Sequence, residues 1–347
     1  MHPVVELTRR LVAIASENPP GNHYAECVAL LEAELERLDL KPRRITEDIL
    51  EASVGEGDQP LYLHGHYDVV PAQDRSQFEP YIEGDRLYGR GTADMKGGLA
   101  AMIHAMVALR DAPGRVVLHL VPDEETGGAR GSRLLENLDG IGMLTTEPTS
   151  GVVWNANRGA ISMRVTTRGK AAHVGLAHTG VNAFERMVTL VNRLQDLRDE
   201  IDSILLIGGT IESGANFNVV PDTCTMTLDR RPNPDESVEE EKRRLLELLE
   251  GADVEIFQEA PSAASPDDGP VAEALAEAVA DIEGERPRFE MCPGLLETRW
   301  YAQRGIPAYA YGPGALEVAH QADEHVEIPR LLRAVEIYAR TARSVFR

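Results

Sequence analysis

The chain has 347 residues, 43% hydrophobic and 27% charged, the balance of a globular protein with room for two well-packed domains. Its formal charge of −22 argues against binding nucleic acid or a membrane surface through a general field, and no apolar run approaches the roughly 20 residues that span a bilayer. Cys27, Cys224 and Cys292 form no CxxC pair, and the opening MHPVVELTRR mixes charges unlike a secretory signal, so free thiols and a cytoplasmic location are expected.

From Pro3 to Leu38 two amphipathic helical patterns are interrupted at NPPGN. Strand-like runs follow at PLYLHGH, RVVLHLVP, IGMLTTEP and IPAYAYGP, with a small-residue helix, GGLAAMIHAMVALR, between the first two. This alternation predicts an α/β fold with a mixed, mostly parallel sheet and helices on both faces. Near Arg158 the character changes. AISMRVTTRG, VNAFERMVTLVNRLQDL, SILLIGGTIESG, VVPDTCTMTLDRR, ESVEEEKRRLLELLEG and DVEIFQEA read in turn as strand, helix, strand, strand, helix and strand. That is one βαββαβ unit, the ferredoxin-like arrangement, and it sets a domain at 158–265 inserted between 1–157 and 266–347. The Pro-, Ser- and Asp-rich stretch PSAASPDDGP reads as the linker back, and helices at VAEALAEAVADIEG and RLLRAVEIYARTARSVF complete the first domain.

The stretch VPDEETGG poses a physical problem. Asp123, Glu124 and Glu125 follow an apolar strand directly, where adjacent like charges are costly unless a cation compensates them. Other metal-binding residue types recur at comparable places: His66 and Asp68 in GHYDVVP, Glu147 in TTEPTS, and His320 in AHQADEH. Asp94 lies in GRGTADMKGG, just before the small-residue helix. In an open α/β sheet ligands gather beyond the carboxyl ends of the strands, where these segments can converge. Imidazole plus carboxylate without thiolate suits Zn²⁺, and also Co²⁺ or Mn²⁺, and one carboxylate can bridge two ions about 3.5–4 Å apart.

Taken singly, each signal has a plain structural reading. An HxD loop is commonly a surface turn, DEE before Gly-Gly a solvated acidic turn, and a single histidine such as His320 a surface residue. GRGTADMKGG looks like a phosphate loop but lacks the GK[ST] ending and carries an acid where phosphate would sit. Their joint occurrence, each after a strand or loop, favours a metal centre.

In combination, GHYDVVP, LYGRGTADMKGG, PDEETGG, EPTS, RGKAAHVG, NVVPD, the DRR segment, ETRWYA and a terminal His near DE make the whole chain resemble the M20 family of metallopeptidases and amidohydrolases. The resemblance implies a zinc-peptidase-like catalytic domain with an inserted lid and dimerisation domain. It implies that His66 and Glu147 hold one divalent metal ion, Glu125 and His320 a second, and that Asp94 bridges them. Asp68 would fix the tautomer of His66, and Glu124 would be the general base. His173 would stabilise the oxyanion, delivered across a homodimer interface, while Asn218, Arg231 and Arg299 would contact the substrate. His178 is read as incidental.

Two departures bear on the substrate: Glu297 stands where many members have Asp, and QADE follows His320 where Asn-Glu is more usual. Glu147 matches the acylase and carboxypeptidase branches. The expected activity is amide hydrolysis of a small N-acyl-L-amino acid in amino-acid biosynthesis, as in acetylornithine deacetylation or succinyl-diaminopimelate desuccinylation. The alternatives are a carboxypeptidase or dipeptidase using the same centre, and a silent scaffold retaining the fold.

Overall fold

The computed structural model describes all 347 residues. Its helices are α1 (Pro3–Val12), α2 (Tyr24–Arg37), α3 (Lys96–Ala108), α4 (Ala183–Glu200), α5 (Val238–Leu248), α6 (Pro270–Glu283), α7 (Thr298–Ala302) and α8 (Ile328–Val345). The chain divides into two compact units: Met1–Ala156 with Ala264–Met291 and Leu296–Arg347, and Asn157–Ala263 with Cys292–Leu295.

The first unit is built on a nine-stranded mixed sheet. At its centre Val116–Val121, Leu61–His66, Gly142–Thr145 and Ala308–Ala310 lie side by side and parallel. Each is buried throughout, as expected of strands covered on both faces. Antiparallel strands flank them, Leu50–Val54 on one side and Val153–Asn157 on the other.

Alternation along the strands sorts two layers. Leu61, Leu63, Val116, Leu118 and Leu144 face a large core with α1, α2, α3, α6 and α8. Tyr62, Val117, Met143 and Ala308 face the other way, onto a smaller cluster with Tyr301 of the short α7. Helices thus cover both faces, but unequally. The main layer packs closely because α3 presents small residues. A Cβ at Gly98 would lie 1.9 Å from Thr146 Oγ1, and one at Gly65 would lie 2.6 Å from Leu99 Cδ2. Glycine at these two positions lets α3 rest directly on the sheet, with the loop before it at the strand ends.

The second unit runs strand Ala160–Arg168, α4, strands Ile204–Ser213 and Thr223–Arg231, α5 and strand Asp253–Ala260. In this unit's own numbering the sheet order is 2-3-1-4, antiparallel throughout, which is the ferredoxin-like arrangement. Its core is set by α4, where Ala183, Met187, Leu190, Leu194 and Leu197 recur at helical spacing, facing Ile161, Met163 and Val165.

The segment read as one strand, VVPDTCTMTLDRR, is two. Val219–Val220 pairs with Ala172–His173 in a separate ribbon before the main strand begins at Thr223. The Pro- and Ser-rich linker also contains a two-residue strand, Ala263–Ala264, at one end of the large sheet.

Candidate metal centre

Four side-chain groups leave the carboxyl ends of the four central parallel strands. His66 ends its own strand. Glu124 and Glu125 follow Val116–Val121 on a tight 3-10 turn that starts at Asp123, whose φ is 72°. Glu147 follows Gly142–Thr145, and His320 follows Ala308–Ala310 after a longer loop. Asp94 comes from the loop that leads into α3.

These side chains form two overlapping triads, His66–Asp94–Glu147 and Asp94–Glu125–His320, with one ligand atom of each residue within 4.8 Å of the others in its triad. Asp94 belongs to both and divides its carboxylate between them. Its Oδ1 is 3.3 Å from His66 Nε2, and its Oδ2 is 3.2 Å from His320 Nε2. Glu147 Oε1 lies 4.0 Å from His66 Nε2, and Glu125 Oε1 lies 3.4 Å from His320 Nε2.

Whether the donor set fits a cation can be judged from its hydrogen bonding. Buried polar atoms are nearly always paired, yet His66 Nε2, Asp94 Oδ1, Glu125 Oε1 and Glu147 Oε1 are buried with no hydrogen-bond partner. Four orphaned lone-pair donors on one small space fit a positive ion between them.

The electrostatics agree. Burial, then the Asp94 charge, pushes the Glu147 carboxyl well above its ordinary range, and burial also raises Glu125. Burial, only partly offset by His66, pushes Glu124 up to about 8. The adjoining Asp94 and Glu125 carboxylates push His320 up to about 10. Asp94 is held low despite burial, because the His320 and His66 imidazoles stand close beside its two oxygens. The carboxylates outnumber the cations available to them.

Asp68 is fully buried beneath His66. The His66 Nδ1 sits 3.0 Å from the Asp68 carbonyl oxygen and 3.3 Å from Oδ1, which keeps the proton on Nδ1 and leaves Nε2 for the triad. The Asp68 carboxylate also accepts the backbone N–H of Glu124 and of Glu125, each at 3.3 Å. Glu124 is half-buried, and the His66 and Glu125 charges both act on it.

The remaining expected residues have separate settings. Arg299 is 1% exposed and stacks on Trp300 at 4.8 Å, with Nε unpartnered. Burial lowers its pKa, while Glu124, Glu297 and Glu147 act to raise it. Glu297 is fully buried and bonds His64 at 2.7 Å as well as the Ser132 hydroxyl.

Three expected residues belong to the second unit. His173 is exposed, and its Nδ1 accepts the Gly175 N–H at 3.1 Å. Asn218 is half-buried next to it, its carbonyl accepting the Val174 N–H. In the DRR segment Arg231 is the half-buried member, 3.0 Å from Asp229, whereas Arg230 is wholly buried on Glu236 and Glu241.

Three residues with a bearing on the centre escape sequence reasoning. Arg90 and Glu324 form a buried ion pair at 2.5 Å between the Asp94 and His320 loops, and the buried Asn18 reaches Asp68. The available signals were weak: an Arg inside a Gly-rich loop, a Glu four residues after a histidine, and an Asn in an apparent helix interruption.

Fold and site together describe a hydrolase of the metal-dependent, open-sheet class. The description of Peptidase family M20/M25/M40 matches residues 62–344, and the chain belongs to that family. It is 28% identical over 351 residues to a putative succinyl-diaminopimelate desuccinylase DapE of Mycobacterium tuberculosis, covering 97% of each chain. It is 30% identical over 312 residues to an acetylornithine deacetylase of Myxococcus xanthus, covering 82% of this chain and 80% of the relative. The fold is similar to that of aminopeptidase PepT from Bacillus cereus, with a TM-score of 0.85 at 22% identity over 99% of this chain and 98% of that one. No helix is long and apolar enough to cross a membrane.

Proposed function

We propose that the chain is a dinuclear-metal deacylase that hydrolyses the amide bond of a small N-acyl-L-amino acid, of the acetylornithine or succinyl-diaminopimelate kind. The observation that carries this reading is the Asp94 carboxylate, shared between two imidazoles, each with its own carboxylate, with His66 Nε2, Asp94 Oδ1, Glu125 Oε1 and Glu147 Oε1 buried and unpartnered. His66 and Glu147 would hold one cation and Glu125 and His320 the other, with Asp94 common to both sites. Bound there, two divalent cations polarise the scissile carbonyl and ease ionisation of the attacking water. The donor chemistry supports Zn²⁺, with Co²⁺ or Mn²⁺ as substitutes.

The chain's own groups divide the remaining work. Glu124, adjoining Glu125 on the same turn, takes the proton of the attacking water and returns it to the leaving nitrogen. Asp68 holds His66 in the tautomer that directs Nε2 inward. His173 donates to the oxygen on which negative charge develops, and Asn218, Arg231 and Arg299 hold the substrate's polar and carboxylate ends. A homodimer paired through the second unit delivers His173. The exposed edge strand Ile204–Ser213, with Leu206 and Ile211 uncovered, supports that pairing. Cys27, Cys224 and Cys292 are buried and form no disulfide with one another, which suits a reducing cytoplasm.

The test is a substrate panel on protein reconstituted with Zn²⁺ or Co²⁺: N-acetyl-L-ornithine, N-succinyl-L,L-diaminopimelate and a set of dipeptides. Turnover of an N-acyl amino acid is expected. Hydrolysis of dipeptides alone would replace the deacylase reading with a peptidase one.

A further inference from the structure

Asn18 belongs to the NPPGN interruption between α1 and α2, outside the residues matched by the family description. Its segment lies along the one that carries Asp68. Asn18 N–H donates to the Val69 carbonyl at 2.8 Å, Val69 N–H to Ser16 at 3.0 Å, and the Ser16 hydroxyl to Tyr67 at 2.6 Å. The Asn18 side chain is 4% exposed, and its Nδ2 has three oxygens in reach: Asp68 Oδ2 at 2.9 Å, Asp123 Oδ1 at 3.0 Å and Thr126 Oγ1 at 2.9 Å.

An amide nitrogen carries two N–H groups and no charge. Here it stands between two buried carboxylates, Asp68 and Asp123, whose only ion-pair partner is His66, against Asp68. Asp123 fills its other valences with the Thr126 hydroxyl at 2.7 Å and the Arg130 N–H at 2.9 Å. Each carboxylate governs one part of the centre. Asp68 fixes the His66 ring and accepts the Glu124 and Glu125 amides. Asp123 is the left-handed residue from which the turn bearing those glutamates starts.

We infer that Asn18 is a positioning residue of the hydrolytic centre: its amide ties Asp68 to Asp123 and so fixes Glu124 and Glu125 against His66. Aspartate at this position would add a third carboxylate and remove the donor, alanine would leave two buried carboxylates facing each other, and serine offers one donor on a shorter arm. The inference rests on the deacylase reading for its kinetic arm only.

The experiment compares wild type with Asn18→Asp, Asn18→Ala, Asn18→Ser and the exchange Asn18→Asp/Asp123→Asn, which restores the charge count and one amide donor. Each protein is loaded with Co²⁺, and three things are measured: metal stoichiometry with the visible absorption spectrum in the absence of substrate, Tm, and kcat and KM on N-acetyl-L-ornithine and N-succinyl-L,L-diaminopimelate. Outer partners of metal ligands commonly contribute 10–100-fold, and small misplacements near the chemistry cost on the order of 10²-fold. The expected result is a kcat lower by on the order of 10²-fold for Asn18→Asp and roughly 10-fold for Asn18→Ser, with KM within about two-fold. The Co²⁺ spectrum should shift at full stoichiometry, and the exchange should recover at least roughly 10-fold of the lost kcat.

Unchanged kcat and spectrum in Asn18→Ala and Asn18→Asp would overturn the inference. So would a loss that excess metal restores in full, or equal losses of Tm in Asn18→Asp and the exchange without kinetic recovery. Should Asn18→Asp fail to fold, Asn18→Ser carries the same comparison. A wild type inactive on both substrates would count against the deacylase reading, and the Co²⁺ spectra would still decide the role of Asn18.

Discussion

Glu324 is one carboxylate shared by the loops that bring Asp94 and His320. It is 1% exposed; its Oε1 accepts the backbone N–H of Gly91, Ala93 and Asp94 at 2.9, 3.1 and 3.1 Å. Its Oε2 pairs with Arg90 at 2.5 Å, and Arg90 in turn donates to the carbonyls of His320 and Gln321. Glu324→Ala would strand a buried guanidinium and leave three amides without their acceptor. Breaking one side of a buried, hydrogen-bonded pair costs about 3–5 kcal/mol. At about 2–4 °C per kcal/mol for a domain of this size, the metal-free protein should lose roughly 6–20 °C in Tm. Because both ligand loops loosen, affinity for Zn²⁺ should also fall by roughly 10–100-fold. Glu324→Gln keeps an acceptor for the amides but turns donors against Arg90, so it should fall between. Thermal denaturation of the metal-free protein, with Zn²⁺ affinity measured by competition against a chromophoric chelator, gives both numbers. A Tm within about 2 °C of wild type would refute the buried-pair reasoning. A large loss of Tm with unchanged affinity would show that the pair supports the fold without aligning the ligands.

Glu124→Gln should retain bound metal by elemental analysis and lose on the order of 10²–10⁴-fold in kcat, since only proton transfer is removed; retained turnover would discard Glu124 as the base. Exhaustive chelation should abolish hydrolysis, and Zn²⁺ or Co²⁺ added back should restore it, whereas activity indifferent to chelators would rule out the proposed centre. Gly98→Ala should drive α3 away from Thr146, since the new Cβ would sit 1.9 Å from Oγ1; overpacking of about 1–3 kcal/mol should appear as a lower Tm, together with lower kcat through Asp94. The His119 hydrogen bond, acting against burial and helped by Arg43, holds the Glu51 carboxyl down at about 2. A carboxyl lowered on folding contributes stability above its unfolded value of about 4.3 and loses it as pH falls toward 2. Glu51→Gln should therefore cost up to about 3 kcal/mol at neutral pH and flatten the acid limb of a circular-dichroism titration between pH ~4.5 and ~2.

What could be read from the sequence, and what could not, follows from how local each property is. The central strands announce themselves because a parallel strand covered on both faces needs consecutive apolar residues rather than alternation, as in LYL or the VVL of VVLHLV. Leu50–Val54 and Val153–Asn157 were missed. They are short flanking antiparallel strands, and LEASV and VWNAN carry no such run. The residues of the two triads stood out for the same local reason, since each polar group follows the end of its own strand or precedes the small-residue helix.

Their supports lack that property. Asn18 meets Asp68 and Asp123 across 50 and 105 positions, and Arg90 meets Glu324 across 234. Each is unremarkable in its own window and gains a role only from the residue opposite. The buried polar layer on the sheet's second face makes the same point. His64 and His119 interrupt apolar strands, yet both lie on the Tyr301 hydroxyl, at 3.1 and 2.8 Å, and His64 goes on to Glu297. Read from the strand alone, each histidine looks like an imperfection in a hydrophobic run. Only the pairing of distant segments shows that buried imidazoles and the hydroxyl of α7 satisfy one another, and that Glu297 is held in place two residues before Arg299. Groups that act through strand position can be found one segment at a time, whereas groups that act by pairing need the topology first.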